Sequence, residues 1–250
     1  MGQAFIGKFK IRIAPYASGS QFNARAFVYA ENASKFAFSF SEEEKKLLDY
    51  ASASGGIDAS VKRLNDSTGS MDLRHFTPAN LALALWGTTA AQNATPIVAE
   101  AGGKIVPNMF VPTARLINTS VAPVVKKGAT TISTADYTVS QGGITIAATI
   151  TTGSVSSGDS ITIDYTPLLS DQVQALITSA PDVSIFVEGV NEVNGKYTIG
   201  RFYKCKLGVA SNVDLIGDDF GTLAVSFTIQ KDETVSGGGL SQYFMLETAQ

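Results

Sequence analysis

The chain has 250 residues, 44% hydrophobic and 16% charged, with 19 basic against 22 acidic residues for a formal charge of -3. That length can bury a sizeable core, and the balance argues against a non-specific nucleic-acid binder, which carries a basic excess. One cysteine (Cys205) and one histidine (His75) exclude an intrachain disulfide and a structural zinc site, which takes about four Cys/His ligands. Charged residues fall below the roughly 25% usual in soluble domains. This suits surfaces buried against partners, although a uniformly Ser/Thr-rich surface lowers the charge count as well.

The opening run MGQAFIGKFKIRIAPY alternates apolar and polar residues. It has neither a long apolar stretch nor a small-residue cleavage site, so no targeting segment is predicted. Leu81 to Trp86, the longest weakly polar stretch, is far too short to span a bilayer. These features predict a soluble protein made in a reducing compartment.

Residues 4–16 and 22–40 read as half-buried strands, with Phe5, Phe9, Ile11 and Ile13 and then Phe36, Phe38 and Phe40 in period two. The segment SEEEKKLLDYA (41–51) supports two readings. Ser41 and Glu44 fit a capping box, but the preceding strand could equally continue through it. Residues 52–60, around Gly55-Gly56, read as a flexible loop. The clearest helix follows: Thr77 is an N-cap, Pro78 sits at the first helical position and Gly87 is a stop. Its predicted buried face is Leu81, Leu85 and Trp86, packed on a sheet.

Residues 96–122 hold short apolar runs broken by Gly102-Gly103, Pro107 and Pro112. Residues 123–167 are rich in Thr, Ser, Gly, Val and Ile and read as strands joined by Gly-containing turns. This shift in composition predicts a small β insertion over 114–167 within a core made of 1–113 and 168–250. DQVQALITSA (171–180) reads as a short helix ended by Pro181. Longer strands return over 184–250, with Asn194-Gly195 as a hairpin signal.

Chemical motifs are sparse. Gly102-Gly103-Lys104 lacks the upstream glycine and the Ser/Thr of a phosphate loop, and Gly237-Gly238-Gly239 precedes a strand rather than a helix. The cluster Glu42-Glu43-Glu44 and the pair Asp218-Asp219 lack the spacing of a calcium loop. Lys126-Lys127-Gly128 reads as an exposed turn, His75 as a partly buried packing residue and Cys205 as a core residue. No catalytic constellation, cofactor site or metal site assembles from these residues.

The run from Phe38 through Gly87, with SEEEKKLLDYASASGGIDASVKRL and MDLRHFTPANLALALWG, resembles the major tail tube proteins of long-tailed, siphovirus-like bacteriophages. So do FVEGVNEVNGKYTIGRFYKCKL, VDLIGDDFGTLAVSFTIQKDE and QYFMLE in the second half. The stretch KKGATTISTADYTVSQGGITI to SGDSITIDYT looks like the small β insertion of many such virion proteins.

The resemblance implies a mainly β fold, two packed β-sheets in a sandwich- or barrel-like arrangement with a short flanking helix and a small β insertion. It also implies homohexameric rings stacked into a tube for DNA ejection, made in the host bacterial cytoplasm and located in the virion tail, with no enzymatic activity. The implied partners are the chain itself, tape measure, tail terminator and distal tail proteins, and passing double-stranded DNA without specific binding; no membrane is involved. By position, residues 41–66 would reach the adjacent ring through Lys45, Lys46, Tyr50, Lys62 and Arg63. Two other functions stand beside this one. The first is a β-sandwich binding or adhesion module on a virion or cell surface. The second is a hydrolase using a pair among Asp164, Glu188, Asp218 and Asp219.

Overall fold

A computed structural model describes residues 7–50 and 56–250; Phe5 and residues 52–55 of the expected 52–60 loop lie outside them, and 57–60 of that loop is strand. Among the described residues the chain is mainly β, with antiparallel sheets and one short α-helix. The strands are β1 (Gly7–Pro15), β2 (Val28–Tyr29), β3 (Ala33–Leu48) and β4 (Ile57–Leu73), then helix α1 (Pro78–Ala84) and β5 (Thr88–Gln92). Next come β6 (Ile97–Lys104), β7 (Phe110–Pro112), β8 (Val124–Lys127), β9 (Thr130–Thr131), β10 (Tyr137–Ser140), β11 (Gly143–Ile146) and β12 (Ser160–Tyr165). The chain ends with β13 (Ser170–Gln174), β14 (Asp182–Asn191), β15 (Tyr197–Leu207), β16 (Asn212–Val213), β17 (Leu223–Gln230) and β18 (Phe244–Thr248).

Two compact units result, one of residues 1–89 and 173–250, the other of residues 90–172. The first is built on a sheet ordered β2-β1-β14-β15-β17-β4-β3, with β16 also on β17 and β18 also on β15. Its patterning has period two: Leu223, Val225, Phe227 and Ile229 are buried on one face of β17, whereas Ser226 and Thr228 are exposed on the other. The buried face gathers Ile11, Met71, Ile185, Phe202 and Phe227 into one core. Cys205 is buried in it, and burial pushes its thiol up to about 12, so it is a packing residue. Asn194-Gly195 lies in the β14–β15 turn, where Gly195 has φ +68° and its N–H donates to the Asn191 carbonyl at 2.8 Å.

Helix α1 forms as its caps predict. The Thr77 hydroxyl accepts from the Asn80 N–H at 3.2 Å, and Pro78 opens the helix. Of the expected face Leu81, Leu85 and Trp86, only Leu81 packs against the core, and it is joined there by Leu83, Asn80 and Ala84. It is only 7 residues long, so Leu85 and Trp86 fall beyond its end and are half-buried. The helix ends at Ala84 with Leu85 as its C-cap, and Trp86 at φ +49° turns the chain away before the expected stop at Gly87. Asn80 donates to the Ala30 and His75 carbonyls at 3.1 and 2.9 Å, which ties the helix to the chain around it.

The open helix-or-strand reading of 41–51 and the helical expectation at 171–180 both resolve against a helix. Residues 41–48 continue β3, because β4 supplies a backbone partner along the whole length, and pairing overrides the helix propensity of SEEEKKLL. The predicted helix at 171–180 is replaced by β13 and an irregular turn; Leu176 takes φ +59°, which no right-handed helix accommodates.

The second unit is a small sandwich of two sheets, β6-β12-β8-β9 and β10-β11-β7. Residues from both sheets, including Val111, Val125, Ile144, Ile161 and Ile163, enclose one hydrophobic cluster. It spans 90–172 rather than 114–167, since β6 pairs with β12 and β7 with β11. Lys126-Lys127-Gly128 lies at the β8–β9 turn, where Lys126 and Lys127 pair with Asp164 and Asp159 at 2.5 and 2.6 Å. The chain enters and leaves the unit through β5 and β13, which pair with each other.

Candidate functional site

The most distinctive feature of the first unit is a two-stranded arm. β17 supports β4 only over Thr68 to Leu73. Beyond Ser67, whose hydroxyl donates to the Ile229 carbonyl at 2.6 Å, β3 and β4 are paired only with each other among the described residues. The β3 side of this arm, residues 40–48, reaches roughly 30 Å at about 3.4 Å per residue. Register shifts fall between Ser41 and Glu42 and between Leu47 and Leu48. Such bulges bend and twist a hairpin.

The sequence-predicted contact residues all lie on this arm. Lys45 pairs with Glu43 at 3.8 Å, Lys46 with Glu44 at 3.3 Å, and Lys62 with Glu42 at 3.6 Å. Arg63 stands opposite Glu43 in the register. These pairs follow from the alternation of strand side chains: Glu42, Glu44 and Lys46 share one face, Glu43 and Lys45 the other. All are solvent-exposed, so each contributes little to stability. Their charges do blunt an otherwise open edge.

The apolar content of the arm is less expected. Leu47, Leu48, Ile57, Val61 and Leu64 are all exposed, and Tyr50 at the tip is 86% exposed. At the base, Phe38 meets Phe40 edge-on at 5.8 Å, and Phe40 stacks on Phe244 at 5.6 Å. These rings flank an open apolar groove of about 450 Å³ walled by Phe9, Ile11, Phe36, Phe38, Phe202 and Leu246. A second exposed apolar group, Leu215, Ile216 and Phe220, sits in the β16–β17 loop. Its signal in the sequence is VDLIGDDFG, which sets Leu215, Ile216 and Phe220 among acids and glycines, the pattern of an apolar loop tip.

The other candidates stand apart. His75 is exposed, not packed, and bonds the Glu31 carboxylate through Nδ1. Asp164 accepts from Lys126 and from the Ala99 N–H, and these bonds hold its carboxyl below the usual range. Glu188 pairs with Arg12 at 2.6 Å in mid-strand, and Asp218-Asp219 lie in the exposed loop. No three His, Cys, Asp or Glu side chains among the described residues gather as a metal-binding group. Among the same residues no helix is long and apolar enough to cross a membrane.

A comparison with curated proteins returns no match. A family model described as Protein of unknown function UCP028589 matches residues 4–247. With the match running over nearly the whole chain, the protein belongs to the UCP028589 family.

Proposed function

We propose that this chain is a structural subunit that assembles with copies of itself into stacked rings, forming the tube of a long bacteriophage tail through which DNA leaves the head. The observation that carries this reading is the arm: a long charged hairpin with exposed apolar residues toward its tip, made to reach another molecule rather than to complete its own sheet. The outer edge of β3 is unpaired along its length among the described residues, and such an edge is a template for pairing with a neighbour. Repeated head-to-tail contacts of this kind close into rings where the rotation between copies closes. A formal charge of -3 suits a conduit that repels phosphate weakly and lets DNA slide. The resemblance to tail tube proteins points the same way.

The test is negative-stain electron microscopy of concentrated protein, with light scattering on the same sample. Hollow rings or tubes are expected. A chain that stays monomeric at every concentration, and also on a tail-tip template, overturns the proposal. The compact second unit favours one other reading, a surface-binding sandwich module. That reading predicts a stable monomer or small oligomer whose ligand contacts map to 90–172.

A further inference from the structure

The β16–β17 loop carries Leu215, Ile216 and Phe220 at 80%, 99% and 89% exposure. Three large apolar side chains in one short loop form a crown that water covers poorly. The base of the crown is held. Arg74 donates to the Phe220 carbonyl at 3.1 Å and to the Thr222 hydroxyl at 2.7 Å, and Asn212 donates to the Asp214 carboxylate at 2.8 Å. A loop fixed at its base loses little freedom on docking. Asp214, Asp218 and Asp219 surround the apolar tip.

The same unit holds the apolar groove between β1, β3 and β18. Among the described residues Lys35 is its only charged lining residue. Among the described residues neither Lys35, Asp218 nor Asp219 takes part in an ion pair. Crown and groove are therefore complementary twice over, apolar against apolar and acid against a free lysine. Within one chain Asp219 and Phe220 lie beside Ser34 at the margin of the groove, but the apolar tip stays exposed.

We propose that the crown of one copy docks into the groove of a second copy, with Leu215, Ile216 and Phe220 against Phe9, Phe36 and Phe38 and with Asp218 or Asp219 on Lys35. The proposal rests on the self-assembly reading above and names a contact for it. Filled by successive copies rather than reciprocally by one partner, the contact closes into a ring or runs on as a filament.

Two singly substituted full-length chains, Ile216→Cys and Lys35→Cys, test it when mixed and mildly oxidised. The buried Cys205, its thiol pushed up to about 12, stays silent. A mixed disulfide forming in clear preference to that between Ile216→Cys and a Val28→Cys control is the expected result. It supports the contact even if no rings or tubes are ever seen, in which case the tube reading alone fails. No preference over the control overturns the contact, and does so even where wild-type rings form. As a second readout, Ile216→Asp is expected to weaken self-association about tenfold to hundredfold, the loss of one buried aliphatic side chain. Asp218→Lys with Asp219→Lys is expected to weaken it too, with recovery when paired with Lys35→Glu; association unchanged by these substitutions counts against the contact.

Discussion

Arg25 shows what one buried charge does here. Its guanidinium and the Asp232 carboxylate are each 1% exposed and lie 3.1 Å apart. Arg25 also donates to Ser184 Oγ, the Tyr203 carbonyl and the Ser20 carbonyl at 2.5, 2.7 and 2.9 Å, pinning the segment after β1 onto β14 and β15. Removing one partner leaves the other charge buried and unpaired, so Arg25→Ala is expected to cost about 3–5 kcal/mol in urea unfolding. Burial pushes the Asp232 carboxyl up, but hydrogen bonds from Thr234, Arg25 and Tyr16 outweigh it and hold the group below its usual range. In the second unit, Asp136 is held down to about 2, chiefly by the Thr152 hydroxyl and against burial, with Thr151 adding further bonds. Both folded values lie below the unfolded carboxylate value of about 3.9. Their stabilisation is thus present above that pH and lost as pH falls through the folded values. Acid titration followed by circular dichroism should show stability falling from about pH 4 downward, with a shallower fall in Asp136→Asn. Gly69 is a second tight point: a Cβ there would lie 2.2 Å from Phe227 Cζ. That ring cannot move aside, being stacked on Phe36 at 5.4 Å. Gly69→Ala is expected to cost about 1–3 kcal/mol, partly recovered by Phe227→Leu.

At the scale of elements, the arm separates stability from assembly. Its apolar side chains beyond the sheet touch mostly solvent, so Leu47→Ser with Leu48→Ser should leave unfolding within about 0.5 kcal/mol of wild type. The same variant should lose rings or tubes in electron microscopy. A large drop in melting temperature would instead make the arm part of the subunit's own core. Half of this site was legible in the sequence. The charged positions Lys45, Lys46, Lys62 and Arg63 were picked out, but helix and strand stayed open for 41–48. A capping box and a Glu/Lys run describe only local preference, whereas the strand exists because β4 lies alongside, from Leu48 opposite Ile57 to Ser41 opposite Asp66. The crown at 215–220 was missed because no periodicity marks an apolar loop; its meaning comes from exposure alone.

At the scale of the molecule, the two units have separate cores. The strands that connect them, β5 and β13, pair with each other, so the ends of the second unit are already together. Replacing 93–169 by a short Gly/Ser turn should therefore leave the first unit cooperatively folded, since closing a short loop costs little entropy. The isolated 90–172 segment should also unfold in one cooperative transition. Calorimetry on both pieces checks this, and a broad transition in either would show that the units depend on each other.

What the sequence determined by itself was short-range. Period-two runs located the strands of β1, β14, β15 and β17, Thr77-Pro78 located the helix start, Asn194-Gly195 located a turn, and Cys205 in an alternating run was placed in the core. Tertiary structure decided the rest: strand rather than helix at 41–48 and 171–174, the helix end at Ala84, the outer limits of the second unit, and the exposure of the arm and crown. The physical reason is that caps, turns and side-chain alternation are fixed within a few residues. Strand pairing and burial depend on partners far apart in the chain, which only the folded arrangement brings together.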